Sequence, residues 1–407
     1  MSYELAATRH TRVVLDESLA FRHGAPRPIA PSRKGGDSIL GPQCCITLGI
    51  PGLTPGAMRY TQFLLEVRVT SLLKTTRFAA IAIALTGMAQ AQVPPDIAKQ
   101  LVSIGRGVCV PETAALYRPL HPSPPYKGVS ITRDISFGPD PKNVLDVFSA
   151  EKGGGSRPVL IYVSGGAGNK QQGGPNGEVF YDNVMLWATK NGMVGVNMQR
   201  RPGQAWDDPA KDVALVVQWV NQNIAKHKGN PGRVFIWTQS AGNIPVSTYI
   251  AHSEFHGPKG VGVKGVIFMS APAFNILPVT PPPVQSGFPG CGQPAGAAPP
   301  GRGPGGGDGK GKGKGAPAQP DAATQLARSN LPGLIKSKVP FMVSTAELDP
   351  PAIIAFAETL RDELCKAGRC PLYVTYKDHS HISEVMSPDT ADTTVTGPIL
   401  KWIKSVK

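Results

Sequence analysis

A chain of 407 residues with 41% hydrophobic content has enough apolar mass for a substantial buried core, in one large domain or two. Its formal charge is +14, but the excess is spread out: the first 91 residues hold 10 Lys or Arg against 5 Asp or Glu, and residues 278–323 hold 4 against 2. Without a dense basic face or interleaved aromatics, composition argues against a nucleic-acid partner.

Residues 1–57 mix Pro, Gly and Arg with no sustained period, and read as disordered or untranslated. From Met58 follow basic residues, an apolar core at Phe78 to Met88, and Ala89-Gln90-Ala91, a small-x-small cleavage pattern. Residues 58–91 therefore read as a bacterial secretory signal, with synthesis starting at Met58 and cleavage after Ala91. The apolar core is shorter than the ~20 residues of a spanning helix, which argues against a lasting membrane anchor. Periplasmic or secreted localisation follows, and 92–127 is left as an N-terminal extension.

Export changes how the cysteines read. Cys109, Cys291, Cys365 and Cys370 would remain in an oxidising compartment, with three possible connectivities. Cys365 and Cys370 are close enough in DELCKAGRCPLYV to bridge a helix and the next strand.

From Gly128 onward, strand-like and helix-like segments alternate. ISFGPDPKNVLDVFSA predicts two strands around a turn, and RPVLIYVSGG a strand buried on both faces. EVFYDNVMLWATKNG predicts a helix ending at Gly192, and MVGVNMQRR another strand. DDPAKDVALVVQWVNQNIAKHKGN has an acidic cap before Pro209, with Val213, Val217, Val220 and Ile224 at helical spacing. Strand VFIWT, the Ser240 turn, a helix from about Ala241 and strand GVKGVIFMSAP follow. VPFMVST, helix PAIIAFAETLRDELCKAG, strand CPLYVTYKD and a helix around ILKWIKSVK complete the pattern. Such alternation implies an α/β fold with a mostly parallel sheet covered on both faces, so the loops after VSGG, WTQS, STAELD and YKDHSH share one rim. Residues 278–321 are too rich in Gly and Pro to bury a core and read as a disordered insert within a domain spanning 128–407.

RVFIWTQSAGN puts Ser240 between a strand and a small-residue stretch. A serine there exposes its hydroxyl, and the Ala241 amide can face the oxyanion of a tetrahedral intermediate. Gly242 allows strand and helix to pass closely, whereas Thr238 stands where such elbows usually have glycine. On its own the motif fits a nucleophile or a turn serine. A nucleophilic serine needs a base, and the base an acid. TAELDPP offers Glu347 and Asp349, the latter also readable as a helix cap; DHSHISE offers His379 and His381, also readable as a metal-binding pair.

Together these segments resemble the α/β-hydrolase fold, particularly the bacterial esterase and lipase branch near hormone-sensitive lipase and kynurenine formamidase. The resemblance runs over 128–406 outside the insert. LDVF matches the early strand, and LIYVSGGAG stands where the family has a strand ending in His-Gly-Gly-Gly, with Ser164 in place of histidine. WDDPAKDVALVVQWV matches the stretch before the elbow, and ELDPP and HSHISE match the acid and histidine loops. The resemblance implies Ser240, Asp349 and His381 as the triad, with His379 as runner-up base. It also implies an oxyanion hole of the Gly166, Ala167 and Ala241 amides and a cap reduced to the insert.

The expected activity is hydrolysis of small carboxylic esters through an acyl-enzyme, with no cofactor and no metal. An amidase or peptidase on the same fold is one alternative, and a non-catalytic binding protein the other. Substrate identity and oligomeric state are not legible.

Overall fold

The computed structural model describes residues 92–171, 179–201, 205–283, 289–292 and 320–407. The proposed signal, the 1–57 segment and most of the insert lie outside these residues. In chain order the elements are α1 (Pro95–Ile104), α2 (Val110–Tyr117), β1 (Val129–Ser136), β2 (Val144–Ala150), β3 (Arg157–Val163), α3 (Asp182–Lys190), β4 (Val194–Met198) and α4 (Asp208–Asn223). Then come β5 (Gly229–Gln239), α5 (Asn243–Ala251), β6 (Gly265–Met269), α6 (Ala322–Ala327), α7 (Leu331–Lys336), β7 (Phe341–Leu348), α8 (Pro351–Lys366), β8 (Leu372–Ser380), α9 (Ser383–Met386) and α10 (Thr396–Ser405).

The strands form one eight-stranded sheet in the order β1-β2-β4-β3-β5-β6-β7-β8. β1, β2 and β4 pair antiparallel, and every pair from β4 through β3 to β8 is parallel. The ISFGPDPKNVLDVFSA segment is thus the expected hairpin, and the rest is the expected doubly covered parallel sheet.

Successive strand side chains point to opposite faces, and the core divides accordingly. Val159, Ile161 and Val163 of β3 pack on one face with Val213, Val216, Val217 and Val220 of α4 and with Ala357, Leu360 and Leu364 of α8. Leu160 and Tyr162 pack on the other with Val184 and Met185 of α3, Val385 of α9 and Trp402 of α10. The helical spacing of Val213, Val217, Val220 and Ile224 does mark the buried stripe. The acidic residue at the start of α4, however, is not a side-chain cap: Asp207 makes no capping bond and pairs with Lys211 at 2.8 Å instead.

The 92–127 extension adds α1 and α2 to the second face, where Leu101 and Tyr117 are fully buried. Cys109, preceding α2, is joined to Cys291, 182 residues on, and Cys365 is joined to Cys370. The first bridge ties the described end of the insert to the extension, and the Gly292 amide donates to the Ile104 carbonyl at 2.8 Å. Part of the 278–321 segment is therefore anchored. Among the described residues no helix is long and apolar enough to cross a membrane.

Candidate functional site

Parallel strands deliver their carboxyl ends to one rim, and the five loops after β3, β5, β6, β7 and β8 converge there. β5 ends at Gln239 in extended backbone, and Ser240 then takes φ 51°, a left-handed conformation that a side-chain-bearing residue adopts at some energetic cost. The turn lifts the serine out of the sheet before α5 begins. The Asn243 side chain holds it there, donating to the Ser240 and Met269 carbonyls at 2.8 Å each.

Thr238 does not widen this elbow. The strand register runs unbroken through it, with Val163 on one side and Phe268 on the other. Room comes from the helix side instead: a β-carbon on Gly242 would stand 2.5 Å from the Val163 carbonyl oxygen and 2.7 Å from Thr238 Oγ1. Gly242 is the position that must lack a side chain.

Ser240 Oγ donates to His381 Nε2 at 2.9 Å, and His381 Nδ1 lies 2.8 Å from Asp349 Oδ1. His381 and Asp349 are fully buried, while Ser240 is partly exposed. A carboxylate accepts only, so Nδ1 carries the ring proton and Nε2 is left as the acceptor facing Ser240. The other Asp349 oxygen accepts from Ser270 Oγ at 2.6 Å and from the Ala346 amide at 2.7 Å. With its oxygens so engaged, Asp349 caps no helix, and the N-cap of α8 is Pro350, without a side-chain bond.

The neighbouring candidates go elsewhere. Glu347 is exposed and accepts from the Asp378 amide at 2.8 Å. His379 lies 2.9 Å from Ser383 Oγ through Nδ1 and 3.0 Å from Asp392 through Nε2. Burial pushes the Asp392 carboxyl up, but hydrogen bonding and charge from His379 outweigh it and hold Asp392 below its ordinary value. The two histidines therefore serve separate networks and do not converge as a metal pair.

Gly166 and Ala167 sit on the loop after β3, which passes directly beside the elbow at Gly165. Ser164, where the resembled family has histidine, donates to the Asn169 carbonyl at 2.6 Å, and the Gly168 amide donates to Gly165 at 3.0 Å, so the loop is closed on itself. Gly166 has φ 52°, where absence of a β-carbon removes strain. Buried Arg200 donates to the Gly166 carbonyl at 2.9 Å and, through its amide, to Gly168 at 2.8 Å. Burial pulls its guanidinium below the ordinary value against the opposing pull of Asp212. Further along, Asp146 of LDVF, fully buried, binds Lys170 at 2.7 Å and Arg133 at 2.8 Å, fixing the far end of the same loop.

Ser270, Gln239, Asn243, Arg200 and Glu384 escaped the sequence reading. The rim rule that nominates loop residues also covers Ser270, which follows β6 in FMSAP. Glu384 lies within HSHISE, but nothing in that string distinguishes it from a surface acid. Asp349, His381 and Glu384 each bring one potential metal-ligand atom within 4.8 Å of the others. Both His381 nitrogens are already engaged, which fits a proton relay better than a metal centre. Such a relay can activate a hydroxyl for attack on an electrophilic carbonyl.

Comparison with known proteins agrees with this architecture. The Carboxylesterase family profile matches residues 208–288, and the BD-FAE profile residues 145–247. A probable isoprenylcysteine alpha-carbonyl methylesterase of Arabidopsis thaliana is 29% identical over 115 residues, 28% of this chain and 23% of that protein. Esterase LipQ of Mycobacterium tuberculosis is 32% identical over 130 residues, 30% of this chain and 29% of the relative. Human cocaine esterase is 34% identical over 148 residues, 30% of this chain and 24% of the relative. The chain thus spans between 23% and 29% of the length of these curated relatives. Among solved structures, a bacterial heroin esterase superposes with a TM-score of 0.50 at 16% identity, covering 77% of this chain and 98% of that one. The sheet order and the structural match show an α/β-hydrolase fold, and over residues 145–288 the chain is similar to esterases of that fold.

Proposed function

We propose that this chain hydrolyses small carboxylic esters through an acyl-enzyme formed on Ser240. The observation that carries the reading is the unbroken hydrogen-bonded path from partly exposed Ser240 through His381 to buried Asp349, at 2.9 and 2.8 Å. His381 takes the hydroxyl proton as Ser240 attacks the ester carbonyl, then returns it to the leaving alcohol. Asp349 holds the ring in the productive tautomer and stabilises the imidazolium. Water, deprotonated by His381, then attacks the acyl-enzyme and releases the acid. The amides of Gly166, Ala167 and Ala241 stabilise the oxyanion at both stages.

The esterase relatives support an ester substrate, and the Gly- and Pro-rich composition of 278–321 supports an open cleft that accepts varied small acyl groups. The signal pattern at 58–91 supports export, and two disulfides fit an oxidising compartment. The test uses nitrophenyl esters of increasing acyl length with the mature chain and with Ser240→Ala, beside a fluorophosphonate label. Turnover and labelling are expected only with Ser240 present. Folded wild-type protein that takes no label and cleaves no ester overturns the reading.

A further inference from the structure

Glu384 stands one turn beyond His381, in α9, with a side chain that is fully buried. Neither of its carboxyl oxygens has a hydrogen-bond partner among the described residues. One of them lies within 4.8 Å of both a His381 ring nitrogen and an Asp349 oxygen. Two carboxyl groups thus flank one imidazole in a site without water-facing surface. The second carboxyl does not take part in the relay described above.

Two like charges this close in a buried site cannot both be sustained, so one group keeps a proton. Which one is decided by donors. Asp349 accepts from His381 Nδ1–H, Ser270 Oγ–H and the Ala346 amide. Glu384 has no such set. Burial first, and the Asp349 charge second, drive its carboxyl well above the ordinary range, and the nearby Ser270 and Gln239 side chains offset only part of this. The other titratable groups that feel Glu384 are Tyr162 of β3 and Tyr376 of β8, both fully buried phenols driven up chiefly by that burial and further by this carboxyl. None supplies a positive charge.

We infer that Asp349 and Glu384 form a two-carboxyl unit that holds a single negative charge, with Glu384 as its protonated member and as a positioning residue for His381. The unit confines the anion to the Nδ1 side of the imidazole. Its proton stays on Glu384 while His381 shuttles the proton of Ser240, so the charge opposite the developing imidazolium is one and not two. If Asp349 is made neutral, the charge passes to Glu384, which then becomes the acid nearest the ring.

The inference rests on the ester-hydrolase reading only for its kinetic arm. In that arm, kcat/KM is followed against pH for Asp349→Asn and for Asp349→Asn with Glu384→Gln, both checked for folding by circular dichroism. The single variant is expected to regain activity as pH rises and to exceed the double variant by about tenfold at the alkaline end. Superimposed profiles overturn the inference. The second arm needs no activity: infrared difference spectra of the wild type and Glu384→Gln at neutral pH. A protonated-carboxyl stretch that vanishes in the variant is expected, and its absence from the wild type overturns the inference. An inactive wild type that still shows the band rejects the ester reading alone.

Discussion

Gly165 lies against Ser240 with no room for a side chain between them. A β-carbon on the glycine would stand 2.6 Å from Ser240 Cβ and 2.8 Å from Gln239 Oε1. The loop proposed to stabilise the oxyanion is thereby kept in contact with the proposed nucleophile. Gly165→Ala must push the loop away and misplace the Gly166 and Ala167 amides. A loss of about 10²-fold in kcat is expected, comparable to removing one oxyanion donor, with folding retained. Undiminished turnover by the folded variant would remove this loop from the mechanism.

The two histidines should separate cleanly in kinetics. His381→Gln removes the base and is expected to lower kcat/KM by about 10⁴-fold or more. His379→Gln breaks the buried contact with Asp392 and should mainly lower Tm, leaving ester turnover within about tenfold. Asp392 is held below its ordinary value of 3.8, so it contributes stability above that pH, lost as pH falls through its folded value. The stability gap between wild type and Asp392→Asn should accordingly narrow in acid. A larger kinetic defect for His379→Gln than for His381→Gln would exchange their roles.

Glu384 has the opposite sign. Its folded value lies well above 4.5, so the unfolded chain releases a proton that the folded protein retains. Stability therefore declines as pH rises above 4.5, by up to about 1.4 kcal/mol per pH unit until the folded group itself ionises. Glu384→Gln carries no such proton. Its Tm relative to the wild type should climb as pH rises above 4.5, and a difference that stays flat would contradict the assignment.

Cys109 and Cys291 enclose a long stretch of chain, and their bridge should stabilise by about 3–5 kcal/mol, measurable as loss of stability in Cys291→Ser. Arg106, in the same loop as Cys109, donates to the Asp349 carbonyl at 2.9 Å. The variant is therefore expected to lose activity several-fold below its melting range. Deletion of 293–319 spares Cys291 and should keep activity within about tenfold, whereas a deletion starting at Gly290 also removes the bridge. Equal behaviour of the two deletions would show that the bridge contributes nothing to the site.

Thr238→Gly removes a buried hydroxyl that has no partner among the described residues and puts glycine inside a strand. A stability cost of about 1 kcal/mol is expected, with ester turnover within about threefold. A large fall in kcat would mean that Thr238 shapes the elbow beyond filling space beside Gly242.

Much of this protein is legible along the chain, because the parallel sheet writes itself as alternating apolar strands and amphipathic helices. The order of its rim loops follows from that alternation, so Ser240, an acid and a histidine could be assigned to one edge from residue types alone. Choices between near neighbours could not. His379 and His381 share a loop, as Glu347 and Asp349 share a strand end, and which side chain turns inward depends on how β7, β8 and α9 dock. The same holds for Cys109 with Cys291 and for Ser270, Arg200 and Glu384, whose partners are remote in sequence. Local pattern specifies the elements and what stands at their ends; close packing decides which of those groups meet, and whether each meets a donor, a charge or nothing.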